Sequence, residues 1–116
     1  MSDRKNGMMV VISRDTMGEG SEELGKILIK SFIYTLTELE EAPTHLAFLN
    51  SGVHLTVKGA NTVDDIRLLE EKGTEVIICG TCLNYYGFQD STAVGKIGGM
   101  VDITKNMVSA DKVINI

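Results

Sequence analysis

Cys79 and Cys82 are the residues with the most chemistry to offer, and they stand in a C-x-x-C spacing within the stretch E V I I C G T C L N Y Y G, Glu75 to Gly87. Two thiols so placed suit thiol–disulfide exchange. They also suit sulfur transfer, in which one cysteine takes sulfane sulfur from a donor persulfide and holds it for an acceptor thiolate. The reactive form is the thiolate. A free Cys with a pKa of about 8.5 is shifted toward it by a helix N-terminus, a cation or a second thiol.

The neighbouring residues supply the frame for such a pair. Val76, Ile77 and Ile78 read as a buried strand closed by Cys79 and Gly80. Thr81 fits an N-cap and Gly87 a C′ position, which predicts a short helix over Cys82 to Tyr86. Cys82 then lies in a first turn, where the dipole and free N–H groups favour a negative sulfur. Cys79 lies at the strand end beneath it. The opposing reading makes both thiols small core residues, since free Cys is among the most buried types. Spacing i, i+3 across a strand-to-helix turn weighs against that. A thioredoxin-type site fits poorly too, because the C-x-x-C here follows a third strand and opens a short helix, and the lone Pro43 ends the first helix.

The rest of the chain reads as a scaffold of alternating elements. Met8 to Ile12 is a continuous apolar run of the kind covered on both faces in a parallel sheet. Arg14 to Ser21 is a loop rich in glycine and hydroxyls. Its Gly18 and Gly20 only loosely resemble a phosphate cradle, because Glu19, Glu22 and Glu23 would repel an anion there. Ser21 is the expected N-cap of a helix of about five turns, with Leu24, Ile27, Leu28, Phe32, Leu36 and Leu39 as its buried stripe, ending at or before Pro43. His45 to Leu49 reads as a strand, Asn50 to Gly52 as its loop and Val53 to Val57 as an extended segment.

Thr62 with Asp65 predicts a capped helix over Val63 to Lys72, stopped by Gly73. Glu70 and Glu71 beside Arg67 and Lys72 read as a solvated face. Beyond Gly87 the pattern predicts a short strand near Ala93 to Ile97, a helix over Met100 to Ser109 and a strand over Lys112 to Ile116. This alternation implies an α/β domain over residues 8–116 after a polar lead-in at 1–7. The expected form is a three-layer sandwich on a mostly parallel sheet of about four or five strands with right-handed crossovers, as in doubly wound, flavodoxin-like folds. The carboxyl ends of the first three strands would share one rim with the 14–20 loop, the 50–54 loop and the thiol turn.

Composition narrows the function classes. A net charge of −5 argues against nucleic acid as partner. No apolar run reaches the roughly 20 residues of a bilayer span, and the first residues lack the apolar core of a signal peptide. The expectation is a cytoplasmic protein without membrane contact, whose two cysteines are reduced and reactive. His45 and His54, the only histidines, have no partner at helical spacing, and two thiols alone make no zinc cage, so neither a metal nor a cofactor is expected.

Four stretches stand out together: V V I S R D T M G E G S E E L G K I L at 10–28, F L N S G V H L T V at 48–57, I I C G T C L N Y Y G at 77–87 and A D K V I N I at 110–116. With them the chain resembles the DsrE-like (DsrE/DsrF/TusD) sulfur-carrier family, most closely the C-terminal domain of YedF-type, sulfurtransferase-like proteins linked to selenium metabolism. The resemblance implies a sulfur or selenium relay through a cysteine persulfide. By its register Cys79, at a strand end ahead of the helix-closing Gly87, takes the carrier position, and Cys82 is the additional thiol of the YedF-like branch. The helix-dipole argument favours Cys82 instead; Cys79 is ranked first as the nucleophile, with Cys82 as partner or resolving thiol.

Arg14 or neighbouring amides would steady the anion, with Asp15, Thr16, Gly18, Gly20, Asn50, Gly52, Gly80 and Thr81 as further binding residues. Also implied are sulfur-donor and sulfur-acceptor partner proteins, among them a TusA-like protein, and a homo-oligomer with the thiol rim near a subunit boundary. YedF-type proteins usually carry an N-terminal TusA-like domain with a Cys-Pro motif. No Cys-Pro pair is present here, so the chain is expected to be a stand-alone homologue or a fragment. Two alternatives carry a different expectation: a small-ligand or protein-binding module built on the 14–21 loop, or a thiol–disulfide redox protein.

Overall fold

The computed structural model describes residues 7–116. Apart from Gly7, the polar lead-in lies outside the described residues. Five strands form one sheet: β1 Met8–Ile12, β2 His45–Phe48, β3 Glu75–Cys79, β4 Lys96–Gly98 and β5 Lys112–Asn115. Every pairing is parallel and the order is β4-β3-β2-β1-β5. Four α-helices join them, α1 Glu22–Glu38, α2 Val63–Glu71, α3 Gly80–Tyr86 and α4 Met100–Ser109, with a 3-10 helix over Asn50–Thr56.

The chirality of crossovers explains the layers. From β1 to β4 each connection steps one strand in the same direction, so right-handed crossovers stack α1, α2 and α3 on one face. The last connection returns across the sheet and lays α4 on the other. Strand side chains sort by the two-residue pleat. Val10, Ile12, Leu46, Phe48, Val76 and Ile78 pack with Ile29, Ile33, Leu36, Ile66, Leu69 and Leu83 on the first face. Met9, Val11, Ala47, Ile77 and Cys79 lie with Ile103 on the second. The three-layer parallel α/β architecture expected from the sequence is therefore present.

Several local expectations need correction. Ser21 does cap α1, its hydroxyl accepting from Leu24 N–H at 3.1 Å. The buried stripe, however, is Gly25, Ile29, Ile33 and Leu36. Leu24, Ile27, Leu28 and Leu39 are 52%, 59%, 41% and 41% exposed. The helix is apolar over a wide arc, with Leu36 common to the expected and the observed stripe, and periodicity alone cannot tell which edge of that arc meets the sheet. Gly25 marks the inner one, because a Cβ there would sit 2.7 Å from Thr16 Cβ.

The Val53 to Val57 segment is not extended. It belongs mostly to the 3-10 helix, whose turns are closed by side chains: Thr56 Oγ1 donates to Val53 O at 2.8 Å and His54 Nδ1 to Ser51 O at 2.9 Å. Thr62 makes no capping box. Its hydroxyl donates to Leu55 O at 2.6 Å and ties α2 to that turn. Gly73 stops α2 in the left-handed region at φ +102°. The fourth strand lies at Lys96–Gly98, later than Ala93 to Ile97, because Gly95 turns at φ +78° and its N–H is held by Glu70 Oε2 at 2.8 Å. Glu70 is thus a tether as well as part of a solvated face.

Candidate functional site

Cys79 ends β3 and is itself the N-cap of α3, with φ −63° and ψ 118°. Thr81 therefore does not cap the helix. It lies exposed in the first turn, and Cys82 follows at the third helical position. Gly80 lets this turn pass close to β4, since a Cβ on it would lie 3.1 Å from Ile97 Cγ2. Gly87 closes α3 in the left-handed region at φ +75°, as the sequence implied.

The two thiols have different surroundings. Cys79 is 3% exposed and packs among Met9, Val11, Ala47, Ile77 and Ile103 beneath α4. Cys82 is half-buried and lines an open cavity of about 400 Å³ together with Asn50, Thr81, Tyr85 and Tyr86. Both cysteines are free thiols.

Asn50 supplies the contact that defines Cys82. It has φ +50°, the one non-glycine residue with positive φ among the described residues. In that conformation its backbone N–H donates to Cys82 Sγ at 3.0 Å. Tyr86, one helical turn beyond Cys82, donates its hydroxyl to Asn50 Oδ1 at 3.0 Å. The Tyr86 ring meets His54 edge-on at 4.6 Å between centroids, and His54 meets Phe88 in the same way at 5.0 Å. A chain of contacts thus runs from His54 through Tyr86 and Asn50 to the sulfur.

Burial pushes the Cys82 thiol up, the adjacent Cys79 thiol adds to the rise, and the Asn50 N–H opposes it. The helix-dipole expectation of a lowered pKa is therefore overturned. Desolvation outweighs the local donor and disfavours the thiolate of Cys82.

Of the residues expected at the rim, Asn50, Thr81 and Cys82 share one cavity, with Gly80 in the turn between the thiols. Gly52 acts in packing: a Cβ there would lie 2.4 Å from Ile12 O, so this loop presses directly on the end of β1. Arg14 does not reach the thiols, because its guanidinium is turned onto its own loop, donating to Gly18 O at 3.2 Å and pairing with Glu19 at 3.6 Å. Asp15 N–H donates to Ser51 Oγ at 3.1 Å, and its side chain lines a separate cavity of about 250 Å³ with Lys26, Ile29, His54, Leu55, Ala60 and Asn61. Thr16 packs on Gly25, while Gly18 and Gly20 are exposed at φ +80° and +136°. The glycine-rich loop is a neighbour of the thiol cavity and not its wall.

Sequence reasoning passed over Tyr85 and Tyr86, and it set His54 aside as a surface residue although His54 follows a loop at the rim. The tyrosines were detectable, since positions i+3 and i+4 from Cys82 fall on its face of a helix. His54 carried no such signal, because its role depends on a 3-10 turn that the alternating pattern disguised. No group of three or more His, Cys, Asp or Glu among the described residues is placed to hold a metal ion. No described helix is long and apolar enough to cross a membrane.

The fold has close counterparts. The YchN protein from E. coli superposes with a TM-score of 0.71 at 21% identity, over 94% of this chain and 98% of that one. A protein of unknown function, MTH1491 from Methanobacterium thermoautotrophicum, gives 0.69 at 18% identity, over 94% and 97%. At such identities the likeness concerns the fold alone. No curated protein matches the sequence. The family model described as DsrE/DsrF-like matches residues 8–116, which is the whole span of the sheet and its helices, and the chain therefore belongs to the DsrE/DsrF-like family.

Proposed function

We propose that this chain is a sulfur or selenium carrier that holds a persulfide on a cysteine and passes it to a partner protein. The observation that carries the reading is Cys82 Sγ, set at the wall of an open cavity with a backbone N–H 3.0 Å away. Family membership and the resemblance to YedF-type domains support the same chemistry. The resemblance ranks Cys79 first. The 3% exposure of Cys79 supports the opposite order, with Cys82 meeting the donor and Cys79 as its partner thiol.

In the loading step the Cys82 sulfur attacks the outer sulfur of a donor persulfide R–S–SH. A Cys82–S–SH bond forms, the donor S–S bond breaks, and the departing R–S⁻ takes the proton that Cys82 gives up. No net charge is left in the half-buried site, which suits a sulfur whose anion burial disfavours. The Asn50 N–H steadies the sulfur while it is anionic.

Donor and acceptor proteins, a TusA-like one among them, complete the relay in a cytoplasmic setting. Self-association is part of this proposal. Exposed Leu24, Ile27, Leu28 and Tyr34 on α1 and exposed Val101 and Val108 on α4 lie on opposite faces of the sheet, and two apolar faces would serve an assembly larger than a dimer.

Intact-mass measurement after exposure to a small-molecule persulfide donor tests the carrier reading. Cys79→Ser should gain one sulfur on Cys82 and Cys82→Ser should gain none. Failure of Cys79→Ser and of the unmodified chain to take up sulfur would sink it.

A further inference from the structure

We propose that Cys79 discharges the sulfur held on Cys82 within the same chain, releasing it as sulfide and leaving a Cys79–Cys82 disulfide. The inference rests on the carrier reading and adds to it an activity: reductive release of sulfane sulfur, with an external thiol resetting the site.

The placement of the two thiols is the basis. Cys79 is the N-cap of α3 and Cys82 its third helical residue, so the two are i, i+3 neighbours on one side of the helix start. Ideal helix dimensions put Cα atoms three residues apart at about 5 Å, inside the roughly 4.4–6.8 Å span that a disulfide bridges. Both are free thiols, and both pack in the cluster beneath α4.

Their exposures differ in the sense the reaction needs. A donor entering the cavity meets Cys82, while Cys79, 3% exposed, is shielded from it. The open space beside Cys82 is the cavity, which has room for the outer sulfur of a persulfide, and Cys79 lies on the buried side. Displacement at sulfur needs a nucleophile on one side and an exit on the other, and this arrangement supplies both.

The step balances without an added oxidant, because the persulfide is the oxidised partner. Cys79 Sγ bonds to Cys82 Sγ, the bond between Cys82 Sγ and the outer sulfur breaks, and the Cys79 proton leaves with the hydrosulfide as H2S. The outer sulfur is reduced and the two cysteine sulfurs become a disulfide. Two equivalents of a low-molecular-weight thiol then reduce that disulfide and are themselves oxidised to a disulfide.

The test uses cysteine persulfide in stoichiometric amount, followed by intact mass and a sulfide assay on the full chain. The unmodified protein should become two hydrogens lighter than its reduced form and release one sulfide per chain. Cys79→Ser should become one sulfur heavier on Cys82 and release sulfide only after an external thiol is added. If the unmodified protein keeps the added sulfur as long as Cys79→Ser does, the discharge step is wrong and the carrier reading survives. Added sulfur mapped to Cys79 in the unmodified chain would also overturn it, since that shows transfer of the outer sulfur in place of its release. If neither protein gains or releases sulfur, the carrier reading fails and takes this inference with it.

Discussion

The backbone N–H of Asn50, at the end of β2, donates to Cys82 Sγ across 3.0 Å, although the thiol belongs to the helix that follows β3. Asn50 holds its left-handed backbone with help from Tyr86, whose hydroxyl reaches Asn50 Oδ1 at 3.0 Å. Replacing Tyr86 by Phe keeps the ring against His54 and removes only this clamp. Looser Asn50 should slow alkylation of Cys82 at pH 8 by about two- to tenfold, the range of one net hydrogen bond, and lower stability by less than about 1.5 kcal/mol. Timed iodoacetamide labelling resolved by peptide mass spectrometry checks both the site and the rate; an unchanged rate removes Tyr86 from the mechanism.

A raised Cys82 pKa sets the pH dependence. The thiolate is the nucleophile, and burial, the first cause of the shift, disfavours it in the folded protein. Labelling of Cys82 in the native chain should therefore keep rising with pH past the range where an unhindered thiol has levelled off. The same peptide in denaturant should level off earlier. A native midpoint at or below the denatured one would contradict the assignment of burial as the dominant influence.

Gly52 should tolerate no side chain. The added methyl of Gly52→Ala would lie 2.4 Å from Ile12 O, and both the turn and β1 are backbone that cannot swing aside. We expect a loss of about 1–3 kcal/mol or more, typical of overpacking, seen as a lowered thermal midpoint. At Gly20, φ is +136° but nothing lies within 4 Å, so Gly20→Ala meets only backbone strain, about 1 kcal/mol, and no clash, and should cost less than Gly52→Ala. Equal or greater damage at Gly20 would overturn this ranking.

The two stripes of α1 make opposite predictions. Ile33 is fully buried, and Ile33→Ala should cost about 2–5 kcal/mol. Ile27 is 59% exposed, and Ile27→Ala should stay within about 0.5 kcal/mol for the monomer. Urea unfolding of both variants, at a concentration where light scattering reports a monomer, decides which face meets the sheet.

Long elements with one dominant pattern were legible in the sequence. β1 and α4 fall at the predicted residues, and a parallel sheet with helices on both faces follows from alternation, whereas the side that α4 takes depends on β5 pairing with β1, which the pattern does not give. Features set by competing local bonds were not legible. Thr62 has the form of a cap, yet a backbone carbonyl from an earlier turn captures its hydroxyl. The same competition hid the 3-10 helix, and with it His54. At the site the thiols and Asn50 could be chosen by residue type and rim position. Arg14 could not be excluded, because only the folded loop reveals that Glu19 and Gly18 O satisfy it.

The pairing of Phe48 with Ile78 places the ends of β2 and β3 side by side. Asn50 and Cys82 are carried by those two ends, so the interstrand ladder acts as a gauge that sets the sulfur against its donor. The distance from that donor to the sulfur is thus inherited from the register of two buried strands, and whatever loosens their pairing loosens the thiol's surroundings as well.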